Sequence, residues 1–262
     1  MNYAKLLEGK RAFITTGSQG VGKAIAVAFA RHGAIIALAA RNKEKLAASI
    51  EEVRAFSPAS KSYPCDMSVR SEVEGTCDKI LDDFNGIDIL VNVVGVNNSR
   101  CDIHEYDEDV LQRLIETNYK SGLRCMKKLV PGMIERRCGN IINISSIHAV
   151  QTMPGFGVYG GTKGAMNATA RAAALDYADK GIRVNNICLG LIMSDIIYDE
   201  VEGYPVGPER DAFMSLLNRM QPLSPGKVED VANSALFLAS EMSSYITGQT
   251  IMLDGGASIK AH

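Results

Sequence analysis

The 262-residue sequence predicts an α/β fold, a doubly wound parallel sheet of about seven strands with helices on both faces. Three observations carry this. Short β-prone apolar runs alternate with longer helical stretches along the chain, which is the rhythm of βαβ units. Runs such as AIIALAA at 34–40 are apolar at every position, as strands buried on both faces are. No linker, repeat or low-complexity tract interrupts the rhythm, so one domain over 1–262 is expected. Right-handed crossovers then place helices on both faces.

The elements follow in order. A first strand at 11–16 runs into a glycine-rich turn, and a helix at 23–31 ends at His32-Gly33, glycine being a common helix stop. Strand 34–40 precedes a helix at 42–56 with Asn42 as its N-cap. Strand 61–65, helix 69–84 closed by Asn85-Gly86, and strand 87–94 come next. One long helix at 107–135, strand 140–144, an Ala-rich helix at 158–179 and strand 182–188 continue the alternation. Helix 228–240 and strand 249–253 complete it. The segment at about 194–221 breaks the pattern with Gly203, Pro205, Gly207 and Pro208. An insertion after a strand's carboxyl end lies where α/β sheets bind ligands, so it reads as a substrate lid, with a purely structural excursion as the alternative.

Composition narrows the function. With 46% apolar and 22% charged residues the chain is of globular rather than disordered type. A net charge of −2 and the lack of a basic stripe argue against a nucleic-acid partner. No apolar run approaches the ~18 residues of a membrane span, so no membrane partner is expected. The first ten residues carry no signal-peptide core, and the six scattered Cys read as reduced thiols, so a cytoplasmic location is expected. No two Cys form C-x-x-C, and His32, His104, His148 and His262 do not cluster, so no metal is expected.

Thr15-Thr16-Gly17-Ser18-Gln19-Gly20-Val21-Gly22 joins the first strand to the first helix. A glycine turn there lets the backbone approach a diphosphate, and the helix N-terminus offers free N–H groups. About 20 residues further on, where an acidic residue holds the ribose of NAD(H), stand Ala40 and Arg41. Arg41 suits a 2′-phosphate and favours NADP(H); in the alternative reading Glu44 serves the ribose and the cofactor is NAD(H). Tyr159 and Lys163 lie four apart at the start of the Ala-rich helix, on one face. An ammonium about 4 Å from the phenol would lower its pKa toward neutrality, making it a general acid/base. Ser146, at the end of the preceding strand, could hold a carbonyl for that proton.

Together these segments resemble the short-chain dehydrogenase/reductases over essentially the whole chain. The matching motifs are TTGSQGVG at 15–22, Cys65-Asp66-Met67, LVNVVG at 90–95, Asn118, NISS at 143–146, YGGTK at 159–163, Leu189-Gly190 and Asp254-Gly255-Gly256. The resemblance implies a Rossmann domain and hydride transfer between nicotinamide and a carbinol or carbonyl carbon. It makes Ser146, Tyr159 and Lys163 catalytic, with Asn118 positioning a water for a proton relay through Lys163 and Ser145 packing beside the site. The cofactor would be held by residues 16–22, Arg41, Asp66, Met67, Asn92, Gly95, Tyr159, Lys163, Gly190, Ile192 and Ser194. A homotetramer built on helices 107–135 and 158–179 and the C-terminal strand is also implied.

Three positions depart from the family pattern. Thr16 replaces the first glycine, and Gly17 is expected to absorb the turn, because a β-branched residue takes φ > 0 only at a cost. Val93 replaces a second Asn, and Leu189 replaces a Pro. His148, Met153, Phe156, Met193, Ile196, Ile197 and Tyr198 are the expected substrate wall, His148 as wall rather than catalyst. Their apolar character favours a bulky alcohol or ketone such as a hydroxysteroid. A 3-oxoacyl thioester and a polyol or sugar are the alternatives. The non-enzymatic alternative is a protein that senses NADP(H) without turnover.

Overall fold

The computed structural model describes residues 5–97 and 100–260; the ends of the 1–262 domain, His262 among them, and residues 98–99 lie outside the described residues. The sequence's alternation becomes β1 (Arg11–Ile14), α1 (Gly20–Arg31), β2 (Ile35–Ala40), α2 (Lys43–Arg54), β3 (Lys61–Pro64), α3 (Arg70–Phe84) and β4 (Ile89–Asn92). It continues through α4 (Glu108–Leu114), α5 (Ser121–Arg136), β5 (Gly139–Ser146), α6 (Gly157–Tyr177) and β6 (Ile182–Leu189). Then come β7 (Ile192–Met193), α7 (Asp195–Glu202), α8 (Pro208–Arg219), β8 (Gly226–Lys227), α9 (Val228–Ala239) and β9 (Thr250–Leu253).

Seven strands form one parallel sheet in the order β3-β2-β1-β4-β5-β6-β9. The order reverses between β1 and β4, and the crevice outside those carboxyl ends is where such sheets bind ligands. Period-two alternation divides the core. Ala12, Ile14, Ile36 and Leu38 face the side covered by α1, α2 and α9. Phe13, Ala37, Ala39 and Leu90 face the side covered by α3, α5 and α6.

Local signals set the element ends. Asn42 caps α2 by accepting from Lys45 N at 2.9 Å. Asn85 (φ +51°) and Gly86 (φ +104°) turn the chain out of α3. The single helix expected at 107–135 is instead α4 and α5 joined by a π-helical turn over Ile115–Lys120. There Ser121 N reaches back to Glu116 O, five residues away, a register that side-chain periodicity does not encode. The segment 194–221 is not a loop but chiefly α7 and α8, joined near Gly207 (φ +136°).

A row of amides crosses the sheet interior. Asn92, Asn143 and Asn186 face one another on β4, β5 and β6, and Thr250 continues the row on β9. Asn92 Nδ2 donates to Asn143 Oδ1 at 2.8 Å, and Asn143 Nδ2 to Asn186 Oδ1 at 3.0 Å. Asn186 Nδ2 donates to Thr250 Oγ1 at 3.1 Å.

Candidate active site

Strand β5 delivers Ser146 at its carboxyl end, and the short turn after it brings His148 back toward α6. The Ser146 hydroxyl accepts from His148 N at 3.3 Å. The turn presses closely on α6: a Cβ on Gly160 would lie 2.6 Å from the His148 carbonyl oxygen. Tyr159 is thereby held beside Ser146. Burial pushes the phenol's pKa up, and a hydrogen bond from Ser146 opposes it.

Lys163 is 2% exposed. Its Nζ donates to Val94 O at 3.0 Å and to Ile144 O at 2.9 Å, which ties it to the ends of β4 and β5. It lies 6.0 Å from the Tyr159 ring centroid. Burial pulls its own pKa down to about 8. The sequence-based expectation of an ammonium pressed on the phenol is therefore corrected. Two backbone carbonyls take the ammonium, and Tyr159 titrates above its ordinary value rather than below it. Gly95 makes room for the lysine, since a Cβ there would stand 2.9 Å from Nζ.

Asn118 is fully buried in the π-helical turn. Its Oδ1 accepts from Val96 N and its Nδ2 donates to Val96 O, both at 2.9 Å, with Thr162 Oγ1 at 3.3 Å. Both ends of the amide are occupied. It clamps the chain leaving β4 to α6. Ser145, next to Ser146 on β5, has its buried hydroxyl unpartnered among the described residues.

The glycine-rich turn closes over β1 with an unexpected distribution of strain. Thr16, not Gly17, takes the left-handed conformation (φ +55°), and its hydroxyl donates to Thr15 O at 2.8 Å. Gly17 instead clears space, since its Cβ would collide with the Leu38 side chain. Gly22 lets α1 approach the turn, because a Cβ there would overlap the Thr16 carbonyl oxygen. The start of α1 has no side-chain cap from Gln19 and no acidic residue in its first turn. Val21 N and Gly22 N have no partner among the described residues. A helix N-terminus open in this way fits a dinucleotide diphosphate.

Beyond the ends of β2 and β3, Arg41 is 71% exposed and lies 3.6 Å from Asp66 Oδ2, so a carboxylate stands beside it although none follows β2 directly in the sequence. It comes from the chain after β3, which sequence distance hid. Burial opposes ionisation of Asp66, but bonds from Ser68 and the Arg41 charge outweigh it and hold its carboxyl below the usual range. Glu44 is exposed. Ser18 and Gln19 are tied to α2 through Ser49 Oγ to Ser18 O at 2.9 Å and Lys45 Nζ to Gln19 Oε1 at 2.6 Å. The Met67 side chain is taken up by the core beside Cys65. The Asn92 side chain points into the amide row beneath Gly122 rather than to the crevice, a second departure from expectation. Gly190 packs on Asp254, Ile192 is 8% exposed, and Ser194 leads into α7 next to Gly20.

The expected substrate wall divides into two groups. His148 stacks on Phe156 at 4.0 Å between ring centroids and meets the Tyr159 ring edge-on at 5.9 Å. Burial holds the imidazole below its usual pKa, so it is neutral at pH 7. Met153 borders an open 390 Å³ surface pocket shared with Asp102, Ile103, His104 and Thr152, residues that sequence reasoning missed; Ser146, Tyr159 and Lys163 are not in its lining. Residues 101–104 come from the chain after β4 and Thr152 from the chain after β5, with no motif to mark them. Met193 and Ile197 are half-buried on β7 and α7, and Ile196 and Tyr198 are exposed.

A family model described as Enoyl-(Acyl carrier protein) reductase matches residues 16–258. The uncharacterized oxidoreductase YxbG of Bacillus subtilis is 35% identical over 95% of this chain and 91% of that protein. The 3-oxoacyl-(acyl-carrier-protein) reductase FabG of Staphylococcus aureus is 32% identical over 94% of this chain and 97% of its own length. The L-sorbose reductase of Gluconobacter frateurii, solved with NADPH and L-sorbose, superposes with a TM-score of 0.93 at 30% identity, covering 98% of this chain and all of that one. With the serine, tyrosine and lysine brought together at the carboxyl end of a seven-stranded parallel sheet, the chain belongs to the short-chain dehydrogenase/reductase family of oxidoreductases.

Proposed function

We propose that this protein is an NADP(H)-dependent ketoreductase interconverting a ketone and a secondary alcohol. The observation that carries the reading is the convergence of Ser146, Tyr159 and Lys163 on one crevice beside a helix N-terminus whose Val21 and Gly22 N–H groups have no partner among the described residues. Bound nicotinamide supplies the hydride. Residues 16–22 would hold the diphosphate, Arg41 the 2′-phosphate, and Lys163 the nicotinamide ribose with the N–H its two carbonyls leave free. Ser146 Oγ donates to the substrate oxygen and Tyr159 delivers the proton. A phenol kept protonated by burial is ready to donate, which favours reduction at neutral pH. Oxidation of the alcohol needs the phenolate and is favoured at alkaline pH.

Asp102, His104 and Thr152 would offer polar contacts to a hydroxylated ketone that reached the 390 Å³ pocket, beside the apolar Ile103, Met153 and Pro154. The hydroxysteroid expectation rested on Met and Ile positions, of which Ile196 is 63% exposed on α7, and it draws no support from these polar contacts. Of the relatives named above, one is a 3-oxoacyl-(acyl-carrier-protein) reductase and one an L-sorbose reductase. Helices α7 and α8 would form the lid. Leu175, 83% exposed on α6, supports that helix as a subunit contact of the expected homotetramer. Among the described residues no helix is long and apolar enough to cross a membrane.

The test is NADPH oxidation with a panel of a ketose, a 3-oxoacyl thioester and a ketosteroid. Turnover lost in Tyr159→Phe with cofactor affinity kept supports the reading. Cofactor binding without turnover on any carbonyl sinks it in favour of a sensor. A clear NADH preference, or no move toward NADH in Arg41→Asp, overturns the role of Arg41.

A further inference from the structure

The N-terminus of α1 is not left wholly to a ligand. Gly20 N donates to Asp195 Oδ2 at 2.8 Å, across 175 residues of sequence. Asp195 is the first residue of α7, where the insertion after β7 begins. A Cβ on Gly20 would touch Ser194 Cβ at 3.8 Å, so the whole entry to α7 rests on the glycine-rich turn. Helix α1 has no acidic residue of its own in its first turn, and Gln19 gives no side-chain cap. The anion on this helix end is therefore supplied by the insertion.

We infer that Asp195 is a positioning residue that sets cofactor affinity by holding its carboxylate against the amides a dinucleotide diphosphate approaches. The inference rests on the proposal that the turn binds NADP(H). A carboxylate and a diphosphate next to one helix N-terminus repel each other, and both draw on the same dipole and N–H groups. Binding the cofactor then loosens the bond from Gly20 to Asp195 and frees the entry to α7. Conversely, seating Asp195 weakens the cofactor, because coupling between two sites is reciprocal. Cofactor exchange and movement of the insertion become one process, with Asp195 hastening release of the oxidised cofactor after turnover.

The experiment measures NADPH dissociation constants by fluorescence titration for wild type, Asp195→Asn, Asp195→Ala and Asp195→Glu, with kcat and KM beside them. Asn and Ala are expected to tighten NADPH by roughly two- to fivefold, the range of a charge at a helix N-terminus. Glu stays near wild type. The KM for NADPH falls in the Asn variant while kcat falls or holds, a split that loss of a structural cap does not produce. Added salt narrows the gap by screening the repulsion. Unchanged or weaker NADPH binding in both the Asn and Ala variants overturns the inference and makes Asp195 a clamp. A wild-type chain that binds neither NADPH nor NADH overturns the cofactor proposal and this inference together.

Discussion

Lys163 is a charge kept inside the protein, and that makes its stability pH-dependent. Its folded pKa is about 8 against an ordinary 10.5, with burial as the cause. At ~1.4 kcal/mol per tenfold, holding it protonated costs about 3 kcal/mol of stability at neutral pH. Between the two values the unfolded chain binds more protons than the folded one, so stability rises with pH there. The penalty is complete below about 8 and gone above 10.5. From roughly pH 6.5 to roughly pH 9.5 the wild type should therefore gain about 2 kcal/mol relative to Lys163→Met. Taking the difference cancels the other lysines and tyrosines. The Met variant leaves Val94 O and Ile144 O without their donor at every pH, which offsets the curves without changing the slope. The chain has no Trp, so urea unfolding is followed by helical circular dichroism. Parallel curves for the two proteins, or a gap that closes as pH rises, would refute the buried-charge reasoning.

Two further perturbations test the turn and the lysine pocket. Thr16→Gly relieves a left-handed β-branched residue, about 1–2 kcal/mol, against about 0.5–1 kcal/mol of added backbone entropy. The melting temperature should rise by roughly 1–4 °C, and a fall would show that the Thr16 hydroxyl bond outweighs the strain. Gly95→Ala places a methyl 2.9 Å from Lys163 Nζ, which two carbonyls hold in place. It should lower kcat by about tenfold or more while the circular dichroism spectrum stays that of wild type, and full activity would mean that the lysine has room to move.

The strand and helix order was legible because strands buried on both faces leave continuous apolar runs and caps leave side-chain marks, as at Asn42 and Asn85. The proposed catalytic trio was legible because its residues lie at fixed spacings within two adjacent elements. What the sequence hid depends on contacts between distant segments or on single backbone torsions. The π-helical turn around Asn118 changes one hydrogen-bond register without disturbing the apolar pattern. Thr16 against Gly17 is a choice of torsion that the packing of Leu38 and Gly22 settles. Arg41 meets Asp66 from the neighbouring strand's end, and Lys163 spends its charge on carbonyls of β4 and β5. Spacing along one helix placed Lys163 near Tyr159 but said nothing of those competitors.

The amide row gives the sheet a zero mark. Gly95, Ser146 and Leu189 each stand three residues beyond Asn92, Asn143 and Asn186. Because those three amides pair side by side in the dry interior, sliding β4 against β5 by one residue would set Asn92 opposite Ile142 or Ile144 and Asn143 opposite Val91 or Val93, at about 1–3 kcal/mol for each group left unpaired. The same slip would carry the glycine beside Lys163 out of step with the serine beside Tyr159 and the start of the insertion. Misalignment and loss of the site are thus one error, and the folding chain rejects it on energetic grounds before any substrate arrives.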